Sequence, residues 1–157
     1  MSKKTILLAV SHLGFLVFGF ALGVYFLPIL TAPPAPTTAE IMDQASLSRY
    51  QGTFKRDLAG SDLLHWGEGQ VMLSETAVSF RGKLAPGPDY KLYLSPSFVE
   101  TEQAFENAKS TMVQLGDVKT FENFLVPIVR EIDLASFTTV IVWCESFGEF
   151  ITAAKFR

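Results

Sequence analysis

Residues 5–30 contain no Asp, Glu, Lys or Arg, an uninterrupted apolar run of 26 positions. About 20 apolar residues are enough to carry a helix across the hydrocarbon core of a bilayer, so this run is long enough to span it. A cleavable secretory signal has an apolar stretch of only about 7–15 residues. The prolines at 33, 34 and 36 also obstruct the small-residue site that follows. The expectation is an uncleaved anchor embedded in the lipid bilayer. Lys3 and Lys4 on the short leading flank favour a cytoplasmic amino terminus, which sends the remainder to the periplasmic or extracellular side. Gly19 and Gly23 have the small-xxx-small spacing that lets two helix backbones approach, so the span could support a homodimer.

The expected organisation is a cytoplasmic tip at 1–4, the anchor at 5–30, a Pro-rich spacer at 31–49 and one domain at 50–157. The spacer composition favours extended, polyproline-like chain, and 39–47 could hold a short helix. About 108 residues are one domain's worth of chain. Setting aside Lys3 and Lys4 leaves eleven basic residues against sixteen acidic ones, a net charge of about −5 beyond the membrane run. The basic residues are dispersed among carboxylates and form no stripe, which excludes nucleic acid as a partner.

Beyond Tyr50 short extended runs alternate with turn residues. Strands are expected at 52–56, 65–73, 77–81, 90–95, 112–118, 138–144 and 149–156. Val71, Leu73, Val78 and Phe80 alternate with more polar neighbours, as half-buried strands do. Val140-Ile-Val-Trp143 is continuously apolar, which marks a strand covered on both faces. Ser97-Phe-Val-Glu100 has capping-box spacing, with Ala104, Phe105 and Ala108 following at helical intervals. The fold class expected is mostly β: an antiparallel β-sandwich or barrel-like domain with one short surface helix, preceded by a single transmembrane helix.

Chemistry centres on one residue. Cys144 is the only cysteine, so no intrachain disulfide can form, although exported domains normally use cysteines in pairs. It is either a small buried hydrophobe at a strand end or a redox thiol, a cofactor ligand or an intermolecular disulfide partner. Metal chemistry needs company that the domain lacks. Blue copper wants two His and a Cys, structural zinc wants four ligands, covalent haem wants Cys-x-x-Cys-His, and His65 is the only histidine beyond the membrane run. A partial site of Cys144 with His65 and a carboxylate survives. Nucleophilic Cys-His-Asp catalysis would need the same proximity, and no local signature supports it. Glu145, next to the cysteine, is expected to raise the thiol's pKa. His65-Trp66-Gly-Glu68-Gly69 reads as a strand with a glycine at a bulge or close approach, and Pro86-Gly-Pro-Asp-Tyr90 as a rigid turn.

These residues also form a recognisable series. Gly52-Thr-Phe54, His65 with Gly67-Glu-Gly-Gln-Val71, Ala85-Pro-Gly-Pro-Asp-Tyr-Lys-Leu-Tyr-Leu-Ser95, Leu115-Gly-Asp-Val-Lys-Thr120, Pro127 before Asp133-Leu-Ala-Ser-Phe137, and Val140-Ile-Val-Trp-Cys-Glu-Ser-Phe147 resemble successive blocks of the DM-thirteen domain family. The resemblance implies a small, mostly β domain that serves as an electron-transfer module. Its characteristic cysteine maps onto Cys144 and is implied to do redox chemistry or to bind a haem-like group; His65 carries over weakly. No adjoining DOMON domain is present, so the resemblance implies a separate redox partner protein. The functional expectation is a membrane-anchored extracytoplasmic domain with a redox or electron-transfer role through Cys144, not a turnover catalyst. The alternative is a binding or structural module of the cell envelope with a core cysteine. The cofactor's identity is open.

Overall fold

A computed structural model describes residues 2–157. The apolar run forms helix α1, Lys3–Thr31, whose first turn is capped by the Ser2 hydroxyl accepting from the Thr5 amide. None of its residues is buried by the rest of the chain. It is long and apolar enough to cross a membrane. Residues 32–37 carry no regular secondary structure, and the chain then enters α2, Thr38–Ala45. A complete capping box fixes that start: Thr37 Oγ1 accepts from the Glu40 amide while the Glu40 carboxylate accepts from the Thr37 amide. Ile41 on the inner face of α2 is fully buried, and Asn123 Nδ2 donates to the Pro36 carbonyl at 3.2 Å. The second half of 31–49 is thus held against the domain.

Eight strands make two four-stranded antiparallel sheets. The first has β1 (Tyr50–Phe54), β2 (Gly67–Leu73), β3 (Ala77–Leu84) and β6 (Phe124–Pro127), in the order β1-β2-β3-β6. The second has β5 (Val113–Val118), β4 (Tyr90–Ser95), β7 (Thr139–Cys144) and β8 (Glu149–Lys155), in the order β5-β4-β7-β8. Seven of these occupy the expected positions to within a few residues. The eighth, β6, was not anticipated, because four residues ending in proline are too short to show a period.

Val71, Leu73, Val78 and Phe80 on one sheet meet Leu92, Leu94, Val140, Val142 and Ile151 on the other, and all are buried. Each such side chain contributes roughly 1.5–3 kcal/mol of hydrophobic stabilisation. Phe54, Phe80 and Phe124 form an aromatic row through this core at centroid spacings of 5.3 and 4.8 Å. Gly69 takes φ +143°, and a Cβ there would lie 2.3 Å from the Arg81 carbonyl, so the β2–β3 crossing admits only glycine.

β7 is interior in its sheet and buried at every position. Its second face is covered by α3, Glu102–Ala108, whose Phe105 ring stacks on Trp143 at 3.9 Å and 8°. The continuous apolar run of β7 follows from this double cover. The start of α3 differs from the sequence expectation. Thr101, not Ser97, is the N-cap, accepting from the Ala104 amide at 3.3 Å, while the Ser97 amide is engaged by Ser95 Oγ in the preceding turn.

Candidate functional site

One end of the sandwich gathers the end of β7, the turn from β3 to β4, and the loop from β1 to β2. The β3–β4 turn, Ala85-Pro-Gly-Pro-Asp89, is stiffened by two fixed proline φ angles. It lies flat on Tyr90: a Cβ at Gly87 would sit 2.4 Å from the phenolic oxygen. The Tyr90 hydroxyl donates to the Ala85 carbonyl at 2.9 Å and is buried, which pushes its pKa well above the ordinary tyrosine value. In the β4–β7 register Tyr90 stands directly opposite Cys144.

Beyond Cys144 the chain reverses through a hairpin closed by Gly148 at φ +68°, whose amide donates to the Cys144 carbonyl at 2.9 Å. The hairpin is tied to the β3–β4 turn twice. The Glu145 amide donates to the Asp89 carbonyl at 3.0 Å, and Ser146 Oγ donates to Asp89 Oδ2 at 2.9 Å. Lys91 lies 3.0 Å from the same carboxylate and, against the opposing effect of burial, holds Asp89 below the usual carboxylate range.

The Cys144 residue is 3% exposed. Burial pushes its thiol up, while backbone amides of Phe147, Asp89 and Ser146 near the sulfur pull the other way and lose. The expected influence of Glu145 is corrected here. Strand alternation turns that carboxylate to the opposite face, where it accepts from the Tyr93 hydroxyl and pairs with Lys109 Nζ at 2.9 Å. The thiol is held neutral chiefly by its burial, with the Asp89 carboxylate adding a smaller push in the same direction.

His65 arrives from the β1–β2 loop, where Asp62 organises the backbone. Asp62 Oδ1 accepts from the amides of Leu64 and His65 at 2.6 and 2.7 Å, and its Oδ2 lies 3.0 Å from His65 Nδ1. Burial opposes ionisation of Asp62, but the imidazole and these two amides hold it below the usual range. The Nδ1 contact leaves Nε2 as the free imidazole nitrogen, an arrangement that fixes ring orientation as a supporting carboxylate does at ligand-binding histidines.

His65 and Cys144 line one cavity of about 380 Å³, together with Tyr90, Pro86, Glu149 and Ile151, and the fourth wall is α1 at Phe20, Val24 and Tyr25. The volume lies at the small end of ligand cavities, which run to roughly 300–1,000 Å³. No hydrogen bond joins the imidazole to the sulfur among the described residues, so the geometry gives no activated thiol. Trp66 and Glu68 stay apart from the cavity. Arg56 stacks its guanidinium 3.5 Å over the Trp66 ring and reaches Glu68 at 3.8 Å. Three contributors were not picked out as site residues from sequence. Asp62 could have been found from its Asp-x-x-His spacing, and Tyr90 and Glu149 only from strand register, in which each stands opposite Cys144. Among the described residues no three of His, Cys, Asp and Glu converge as metal ligands.

The structure is thus a β-sandwich with one buried thiol and one oriented imidazole lining a common apolar cavity. The model of the Electron transfer DM13 family matches 40–156, from within α2 to the end of the sandwich. This chain belongs to that family, and the assignment supports a redox role for the domain. Comparison with curated proteins and with solved structures finds no match in either set.

Proposed function

We propose that this protein is a membrane-anchored electron-transfer domain in which the Cys144–His65 cavity holds a compact, neutral redox-active group and exchanges electrons with a separate partner protein. In this reading α1 crosses the bilayer with its amino terminus in the cytoplasm, and the sandwich faces the periplasmic or extracellular space. The observation that carries the reading is that Cys144 and His65 both line one mostly apolar cavity. Thiol–disulfide exchange is disfavoured, because the attacking species is the thiolate and burial suppresses it.

The residues do not fit a haem. Its carboxylate tails would meet Glu149 in a cavity lined by no Lys or Arg. A neutral ring that donates a hydrogen bond suits the lining better: with Nδ1–H on the Asp62 carboxylate, Nε2 of the neutral imidazole is an acceptor, and the aromatic and aliphatic walls exclude water.

The test is a reduced-minus-oxidised absorption spectrum of the full chain purified in mild detergent, alongside Cys144→Ala and His65→Ala. A redox-dependent band that weakens in both variants is expected. A second reading, the envelope module with a core cysteine, is favoured by the 3% exposure of Cys144. It requires that no such band exist and that Cys144→Ala change stability alone.

A further inference from the structure

We propose that the Cys144 end of the sandwich rests in the outer interface of the bilayer, with Leu63, Leu64 and Phe147 inserted at the boundary between headgroups and acyl chains. This rests on the reading that α1 spans the membrane. Leu63 is 93% exposed, Leu64 57% and Phe147 54%, and all three sit at this end, on the loop before β2 and the hairpin after β7. Isolated apolar residues on a surface need no explanation, but Leu64 and Phe147 line one cavity and Leu63 adjoins Leu64 in the chain.

The anchor supplies the depth. Counting about 20 residues of helix from Thr5 brings the chain to the far edge of the hydrocarbon near residue 24. Tyr25 and Phe26, in edge contact at 5.2 Å, then fall where interfacial aromatics belong. Phe147 and Pro88 line one cavity with Phe20, Gly23, Val24 and Leu27 of α1, and Leu64 lines another with Phe20 and Val24. Loops that face those helix residues across a shared cavity lie at their depth.

Polarity changes with height in the same sense. Where the chain leaves the helix at Thr31–Pro33, the domain presents Asp89, Lys91, Asp117 and Lys119. Lys91 bridges the two carboxylates at 3.0 and 2.8 Å. Apolar loops therefore flank the deeper part of the anchor and ion pairs flank its exit, the order that a lipid–water interface imposes. One consequence is that the Cys144 cavity, with α1 as a wall, opens toward lipid.

The experiment uses the full chain in phosphatidylcholine–phosphatidylglycerol vesicles, with a fluorescent probe on Leu63→Cys, Leu64→Cys or Phe147→Cys in the Cys144→Ala background. Val129→Cys serves as the control, since Val129 is 85% exposed and follows β6 at the opposite end. Nitroxide lipids labelled near the headgroup are expected to quench the three loop probes several-fold more than the control, independently of protein-to-lipid ratio. Equal quenching at all four sites, in protein that resists carbonate extraction, would show that the loops stand clear of the membrane and overturn the proposal while keeping the anchor. Loop protection that disappears on dilution in lipid would assign the patch to a second copy of the chain and overturn it too. Release of the chain by carbonate would remove the anchor reading and this proposal with it.

Discussion

Ser146 donates a hydrogen bond to Asp89 across 2.9 Å, joining the hairpin that follows Cys144 to the turn that precedes Tyr90. That contact, with the Glu145 amide on the Asp89 carbonyl, sets where the sulfur sits and how tightly the loop covers it. Ser146→Ala should cost about 0.5–1.5 kcal/mol, the ordinary worth of one hydrogen bond. Asp89→Ala should cost more, because Lys91 loses one of its carboxylates as well. Both variants should also speed modification of Cys144 by a thiol reagent in native buffer. Urea unfolding and labelling kinetics on the same preparations check this; lowered stability with unchanged labelling would show that the latch does not govern access to the sulfur.

Alkaline pH should weaken the fold. Burial raises the pKa of the Cys144 thiol from its ordinary 9.0, and that of the Tyr90 hydroxyl from its ordinary 10.0. Between the unfolded and folded values the native state keeps protons that the unfolded chain releases, so this stabilisation is complete below about pH 9 and is lost as pH rises. Urea midpoints measured from pH 8 to pH 11 should fall. Cys144→Ala should flatten the first part of the decline and Tyr90→Phe the later part.

Acid should act through Glu145 on the opposite face. Burial works to raise its pKa, but the Tyr93 hydroxyl and the Lys109 ammonium outweigh it and hold the carboxyl below its ordinary value. The stabilisation is present above that ordinary value and is lost as pH falls through the depressed one. For a partly exposed pair the effect is about 0.2–1 kcal/mol. Glu145→Gln should remove that part of the acid dependence, read from midpoints between pH 6 and pH 3.

The stack of Phe105 on Trp143 closes the outer face of β7. Phe105→Ala should cost about 3–5 kcal/mol and leave the indole in a partly hydrated space. Tryptophan emission in a Trp66→Phe background should shift to the red. An unshifted spectrum would mean that α3 is not what covers Trp143.

Helix α2 should behave as part of the folded unit. Ile41 is fully buried, so Ile41→Ala should lower stability by about 2–5 kcal/mol, a loss that a solvated spacer helix would not show. Differential scanning calorimetry of the full chain decides it.

The sequence was most legible where one period was unmixed. The uncharged run of α1 and the alternation of Val71, Leu73, Val78 and Phe80 each admit one placement, and the unbroken apolar stretch of β7 requires cover on both sides. Strand β6 was lost because four residues carry no readable period, and the N-cap of α3 was misplaced because Ser97 and Thr101 both precede suitable partners. The site was legible in residues but not in geometry. Cys144 and His65 could be picked by type, whereas their shared cavity depends on strand register, on Gly87 lying flat against Tyr90, and on Asp62 turning the His65 loop. The sign of the thiol shift was anticipated, but its cause, burial and not the adjacent Glu145, required knowing which face each side chain takes.

The claim that the cavity beside Cys144 holds a redox-active group is tested most directly by native mass spectrometry of the full chain purified in mild detergent from the cells that produce it. The account predicts a bound non-covalent group at one per chain, absent from Cys144→Leu, in which the larger side chain fills the cavity. Bare polypeptide mass in wild-type protein that still cycles between oxidised and reduced forms would contradict it.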